Sequence, residues 1–187
     1  LNEITADYYN NYSSNAHRGD YKISIKASAK YEEARDIVSK FINAKSNEII
    51  FTSGTTDSIN KIIFGYFKSK LKKGDEVLLT KSEHASNLLP WYELAEEKEL
   101  KIKYINLTED YKVTLENVKK AITENTKVIS IAHITNVVGD IRPVKEITKY
   151  AHENGILVLI DAAQSAAHLK IDVKDLKLGQ WKYLSLK

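Results

Sequence analysis

The stretch of sequence that decides the fold is ILVLIDAAQ at residues 156–164. Its first five residues are an unbroken apolar run, which predicts a strand that is buried on both faces. The preceding segment 143–154 has apolar residues at helical spacing, with Pro143 at its start and Gly155 just past its end. These positions are typical of a helix start and a helix stop. A helix followed by a doubly buried strand indicates an α/β protein with a mainly parallel sheet.

The same alternation continues on the amino-terminal side of this stretch. Apolar spacing predicts three further helices, and the SGTT cluster at 53–56 predicts the start of a fourth. We therefore expect a mainly parallel sheet with helices on both faces, in one continuous unit over residues 1–187. The predicted strands are 48–52, 76–80, 101–107, 127–134 and 156–160; the three helices are 28–43, 86–98 and the segment after the capping Thr114.

Composition limits the classes of function. The chain has 28 Lys and Arg against 25 Asp and Glu, and the resulting charge of +3 is spread along the sequence, so no nucleic-acid partner is implied. No apolar run approaches the roughly 20 residues that cross a bilayer. The absence of cysteine excludes disulfides, thiolate metal sites and a cysteine nucleophile within these residues. Because the chain starts at Leu1 and contains no methionine, we expect it to be a fragment.

Polar residues follow four of the predicted strands at the point where each strand ends. Parallel strands place their carboxyl ends at one edge of the sheet, where ligands bind, so these residues are expected to converge. They are Gly54-Thr55-Thr56, His84, Asn136, and the pair Asp161 and Gln164.

Each of these residues has both a functional and an ordinary structural interpretation. Thr55 and Thr56 open a helix whose amino terminus favours a phosphate, but such clusters also serve as plain caps. Asp161 is placed to keep a pyridine nitrogen protonated, as in pyridoxal-phosphate enzymes, or to cap a turn. His84 could stack on a planar cofactor and transfer protons, or lie on the surface. Gln164 could hydrogen-bond a phenolic oxygen or remain solvated.

No metal site is predicted from the remaining histidines. They show no ligand spacing with one another or with acidic residues. They are His17, His133, His152 and His168.

Five motifs in order resemble the class V aminotransferase family of pyridoxal-phosphate enzymes, and within it the SUF-type, or group II, cysteine desulfurases. Together they are far more specific than any one of them. The resemblance covers about residues 1–176. The motifs are SNAHRG at 14–19, FTSGTTDSIN at 51–60, EHASNLLPW at 83–91, HITNVVG at 133–139 and DAAQS at 161–165.

The resemblance implies the large domain of a fold-type I enzyme with pyridoxal 5′-phosphate (PLP) as cofactor. Lys187 lies 26 residues beyond Asp161, at the position of the family's Schiff-base lysine, although its neighbours GQWKYLSLK differ from the family's Ser-Gly-His-Lys. Lys187 and His84 are the catalytic candidates. The implied cofactor contacts are the phosphate for Thr55 and Thr56, the pyridine ring for His84, ring substituents for Asn136 and Gln164, and the ring nitrogen for Asp161.

The reaction implied by the resemblance converts L-cysteine to L-alanine and leaves a persulfide sulfur on the enzyme for iron–sulfur cluster assembly. The resemblance also implies a cytoplasmic homodimer and a possible sulfur-acceptor protein. The family's small carboxy-terminal domain, its substrate-carboxylate arginine and its sulfur-accepting cysteine are missing from these residues. We therefore expect a partial PLP-binding domain that is inactive alone.

Two other functions remain open at this point. Cofactor motifs do not select the substrate, so another class V enzyme, such as an aminotransferase, lyase or epimerase, is an alternative. The loop at 17–19 favours the desulfurase. The second alternative is a non-catalytic remnant that binds PLP weakly or only associates with a partner.

Overall fold

A computed structural model describes residues 1–176 and 183–185. The chain divides into two compact units, Leu1–Ile50 and the part from Phe51 onward. The first unit is helical. It contains α1 (Asn2–Asn11), α2 (Lys22–Phe41) and a single 3₁₀ turn (Ser46–Glu48).

Helix α2 begins six residues before the predicted start at Ser28. Ser24 is buried, and its hydroxyl donates to the carbonyl oxygen of Asn15 at 3.0 Å. The hydroxyl of Ser28 donates to the carbonyl oxygen of Ser24 at 2.8 Å. Both serine hydroxyls therefore donate to backbone carbonyl oxygens in the helix or just before it. Serine residues are typical of a helix boundary, but here they lie in the first turns of the helix.

The predicted strand at residues 48–52 is wrong. Ser46–Glu48 is a 3₁₀ turn, in which the N–H of Ile49 donates to the carbonyl oxygen of Ser46 at 3.1 Å. The carbonyl of Ile49 accepts a hydrogen bond from the Arg35 guanidinium. Residues 49–52 are not assigned to a strand, and no described strand pairs with them. A β-branched apolar run becomes a strand only where a neighbouring strand completes its hydrogen bonds.

The second unit alternates helices and strands as predicted. Helix α3 (Thr55–Ile62) continues through a π-helical segment (Ile63–Phe67) into the short α4 (Lys68–Lys70). A 3₁₀ turn (Ala85–Asn87) precedes α5. The remaining elements are β1 (Glu76–Leu79), α5 (Leu89–Lys98), β2 (Lys101–Tyr104), α6 (Leu115–Ala121), β3 (Thr126–Ala132), α7 (Val144–Glu153), β4 (Leu157–Asp161) and β5 (Tyr183–Ser185).

The strands form one sheet in the order β2-β1-β3-β4-β5, and the pairings between these five strands are parallel. This confirms the predicted sheet. Ala132 pairs with Asp161, so β3 and β4 end at the same level. Residues that follow the two strands therefore start from one edge.

Both faces of the sheet are covered, as predicted. On one face, Phe67 of the π-helical segment and Trp91 of α5 belong to an apolar cluster that includes Leu159 of β4. The ring centroids of Phe67 and Trp91 are 5.2 Å apart. Alternate strand residues such as Ile160 face the other way and are fully buried, and α7 packs on β4. Burial of apolar surface on both sides is the main force that holds the strands in place.

Helix α7 ends at the predicted glycine. Gly155 has φ +69°, a conformation that side-chain-bearing residues rarely adopt, and the next residue, Ile156, donates its N–H back to the carbonyl oxygen of Ala151 at 2.8 Å. This turn leads directly into β4. In residues 1–176 and 183–185, no helix is both long and apolar enough to cross a membrane.

Candidate active site

Asp161 is the last residue of β4, and its side chain is buried at the carboxyl edge of the sheet. The residue is 6% exposed, and its Oδ1 accepts a hydrogen bond from the N–H of Ala163 at 2.9 Å. Among the described residues, no donor is hydrogen-bonded to Oδ2. By strand alternation Asp161 points to the same face as Leu159, the face covered by α3 and α5.

Burial raises the pKa of Asp161 above its usual value. The N–H of Ala163 opposes this rise, the nearby Glu83 carboxylate adds to it, and the imidazole of His84 lowers the pKa again. Both Glu83 and His84 are therefore close enough to interact with Asp161 electrostatically. A buried carboxylate whose second oxygen has no described donor is suited to binding a protonated nitrogen, which would replace the hydration that Asp161 loses.

His84 is connected to the first turn of α3 through Ser86. Ser86 contributes its backbone N–H to His84 Nδ1 at 3.2 Å, and its hydroxyl lies 2.5 Å from the same nitrogen. The hydroxyl of Thr56 donates to the Ser86 hydroxyl at 3.2 Å. Because Nδ1 accepts from Ser86, the neutral ring carries its hydrogen on Nε2. His84 itself is exposed, so Nε2 is available to a ligand.

The amino terminus of α3 has the features of an anion site. Gly54 lies just before the helix with φ +152° and, having no side chain, does not itself cap the first turn. The N–H groups of this turn and the positive end of the helix dipole favour a phosphate. Asp57 in the same turn is paired with Lys61, which reduces its repulsion of an anion. Thr55 is half-buried and Thr56 is exposed, so Thr56 offers its hydroxyl at the surface.

The remaining predicted residues are less closely connected. Asn136 lies in a turn four residues after β3, and Gln164 lies in a turn three residues after β4. Both side chains are exposed, and no described hydrogen bond joins either of them to His84 or Asp161. Their cofactor contacts stay predictions. Lys187 lies outside the described residues.

Three contributors to this site were not among the residues predicted from the sequence. Ser86 joins Thr56 to His84, and Glu83 and Arg142 form a buried ion pair beneath the turn that carries His84. A serine before a helix is typical of a cap, which conceals its second contact. Arg142 is 59 residues from Glu83, so local spacing could not pair them.

No described group of three or more His, Asp or Glu side chains is arranged to hold a metal ion. Residues 2–179 match the family described as aminotransferase class-V. The chain belongs to the aminotransferase class-V family. This confirms the family predicted from the five motifs; the SUF-type subgroup stays a prediction.

Several class-V relatives and solved structures are similar to this chain over nearly all of its length. A probable cysteine desulfurase of Halalkalibacterium halodurans is 45% identical over 93% of this chain and 43% of the relative. The apo structure of a cysteine desulfurase from Thermococcus onnurineus NA1 superposes with a TM-score of 0.88 at 39% identity, over 93% of this chain and 43% of that one. A structure of SspA in complex with cysteine gives a TM-score of 0.88 at 28% identity, over 99% and 52%. This class-V chain thus spans less than half the length of the curated relative it matches.

Proposed function

We propose that this chain forms the cofactor-binding part of a PLP-dependent cysteine desulfurase. The observation that carries the proposal is the buried Asp161 carboxylate at the carboxyl edge of a class-V sheet, where it interacts electrostatically with His84 and no described donor bonds its Oδ2. Relatives that are 45% and 50% identical to this chain are named probable cysteine desulfurases. The similar SspA structure is described as a complex with cysteine.

The described residues fit PLP in charge and position. The amino terminus of α3, with Thr55 and Thr56, would bind the phosphate. Asp161 would hold a proton on the pyridine nitrogen through Oδ2. PLP, when bound, supplies an electron sink for the substrate's reacting carbon. Asn136 and Gln164 would hydrogen-bond the ring substituents.

His84 would perform two tasks. Its ring would stack on the cofactor ring, and its Nε2 would move a proton at the substrate. The Thr56–Ser86–His84 chain of hydrogen bonds holds the imidazole in one tautomer, so Nε2 begins as a proton donor in the neutral ring. Lys187 would be the lysine that attaches the cofactor.

Sulfur transfer would require a residue from outside this sequence. The 187 residues contain no cysteine, so the sulfur-accepting cysteine must be supplied elsewhere. We therefore propose that these residues alone do not desulfurate cysteine. The resemblance also supports a cytoplasmic homodimer that provides sulfur for iron–sulfur cluster assembly through an acceptor protein.

The test is PLP binding followed by product analysis. The protein that contains this sequence should bind PLP in a one-to-one ratio by equilibrium dialysis, and borohydride reduction should label Lys187. With L-cysteine, the loaded protein should form alanine in amounts equal to the persulfide. Binding with no product from cysteine, but turnover of another amino acid, would favour a different class-V enzyme. A failure to bind PLP would refute the proposal.

A further inference from the structure

Beneath the turn that carries His84 lies a fully buried ion pair. The guanidinium of Arg142 donates from Nη1 to Oε1 of Glu83, and both side chains are 0% exposed. Glu83 directly precedes His84, whereas Arg142 lies on the segment between β3 and α7. The pair therefore connects the His84 turn to the segment that follows the adjacent strand.

The Glu83 carboxylate is fully engaged by surrounding donors. Its Oε1 also accepts from the Thr80 hydroxyl at 2.7 Å, while Oε2 accepts from Asn87 Nδ2 at 2.9 Å. The backbone N–H of Ala132, at the end of β3, donates to Oε2 at 2.8 Å. Glu83 thus bonds both ends of its own turn, residues 80 and 87, and the neighbouring strand.

Arg142 is also hydrogen-bonded to this turn. Its Nη2 donates to the Thr80 hydroxyl at 2.9 Å and to the Ser82 hydroxyl at 2.8 Å. Its Nη1 lies 3.4 Å from the carbonyl oxygen of Ala132, which it also bonds. A planar guanidinium with several fixed donors holds its partners in one geometry. The turn cannot rotate without breaking several of these bonds.

Such a pair is a poor means of gaining stability alone. Burying two charges costs desolvation energy, and apolar residues of similar volume are often equally stabilising or better. The network instead restricts residues 80–87, which include the exposed His84. The ion pair therefore serves to fix the orientation of the turn that carries His84.

We propose that Glu83 and Arg142 are positioning residues that fix turn 80–87 on β3 and thereby hold the His84 imidazole in register with Asp161. The role of His84 at the cofactor rests on the proposed function, whereas the attachment of turn 80–87 to β3 by Glu83 and Arg142 does not. Two measurements keep these apart.

The first measurement uses the protein without PLP. Long-range ¹H–¹⁵N spectra of the His84 ring should show a single Nε2–H tautomer in the wild type. Arg142→Met should shift the ring nitrogens towards averaged tautomers, in the same direction as Ser86→Ala, which removes the hydroxyl that lies 2.5 Å from Nδ1. Arg142→Lys should restore part of the wild-type spectrum. Lys145→Met, which removes an exposed cation paired with Asp175, is the matched control and should leave His84 unchanged.

A milder variant covers the case in which Arg142→Met does not fold. Ser82→Ala deletes a hydroxyl that accepts from Arg142 Nη2 at 2.8 Å and lies 3.1 Å from the Thr80 hydroxyl, while it leaves the ion pair in place, and it should give a smaller shift of the same sign. If either variant folds, lowers the melting temperature and leaves the His84 spectrum as in the wild type, the pair is only structural and the proposal is overturned.

The second measurement is a double-mutant cycle on PLP affinity. Arg142→Met should weaken binding by about tenfold, and in a His84→Ala background the same change should cost less than about twofold, because coupled residues are non-additive. Equal losses in both backgrounds would overturn the positioning role. A wild type that binds no PLP would refute the proposed function, and the ring spectra would still decide the role of the pair.

Discussion

Replacing Asp161 with asparagine should change cofactor affinity and protein stability in opposite directions. The Asp161 side chain is buried, and its Oδ1 accepts from the N–H of Ala163 at 2.9 Å. An asparagine oxygen can accept the same hydrogen bond. The substitution therefore removes the charge while it keeps the shape and the turn after β4.

The size of the affinity loss follows from the bond that is removed. A hydrogen bond with a charged partner contributes about 1.5–3 kcal/mol, and 1.4 kcal/mol is tenfold in affinity. Asp161→Asn should therefore weaken PLP binding by about 10- to 150-fold.

Stability should move the other way. Burial, together with Glu83, raises the pKa of Asp161, so at neutral pH the folded state holds the carboxylate less favourably than the unfolded chain does. A neutral amide removes this cost. The free energy of unfolding of the PLP-free protein should rise.

Equilibrium dialysis with PLP and urea unfolding of the PLP-free protein measure the two effects. Asp110→Asn, at an exposed site, is the matched control and should change neither by more than a small amount. Wild-type affinity in Asp161→Asn would refute the role at the ring nitrogen. A lower free energy of unfolding would refute the argument from burial.

Three further predictions concern stability. Phe67→Ala should cost about 3–5 kcal/mol in urea unfolding, because the fully buried ring leaves a cavity, and a loss below about 1 kcal/mol would contradict the described core. Thr114→Ala should lower the free energy of unfolding by about 1 kcal/mol, since the Thr114 hydroxyl caps α6 by accepting from the Asn117 N–H at 3.2 Å. Thr114→Ser keeps a hydroxyl, and the capping role is disproved if it is as destabilised as Thr114→Ala. Burial lowers the pKa of His133, so unfolding takes up a proton once the pH drops below the unfolded pKa of about 6.5. Stability should therefore fall as the pH is lowered through that value, with a flatter profile in His133→Gln, and parallel profiles would contradict this.

The predicted strands from residue 76 onward were found within a few residues of their predicted bounds. Periodicity and the unbroken apolar run at 156–160 depend on neighbouring residues, so a local pattern was sufficient. Caps and stops were equally local, as at Thr114 and Gly155. The segment 48–52 failed because strand formation depends on a partner as well as on β-branched residues.

The sequence by itself determined the family and the set of site candidates, because the five motifs and the polar residues after the strands can be read in order along the chain. Only the tertiary structure decided which of them interact. It joined Thr56 to His84 through Ser86, and it placed Glu83 beside Asp161 with Arg142 as its counter-ion. The Thr56–Ser86 and Glu83–Arg142 contacts connect residues 30 and 59 positions apart, and a side chain's charge and burial depend on neighbours that only the folded sheet brings together.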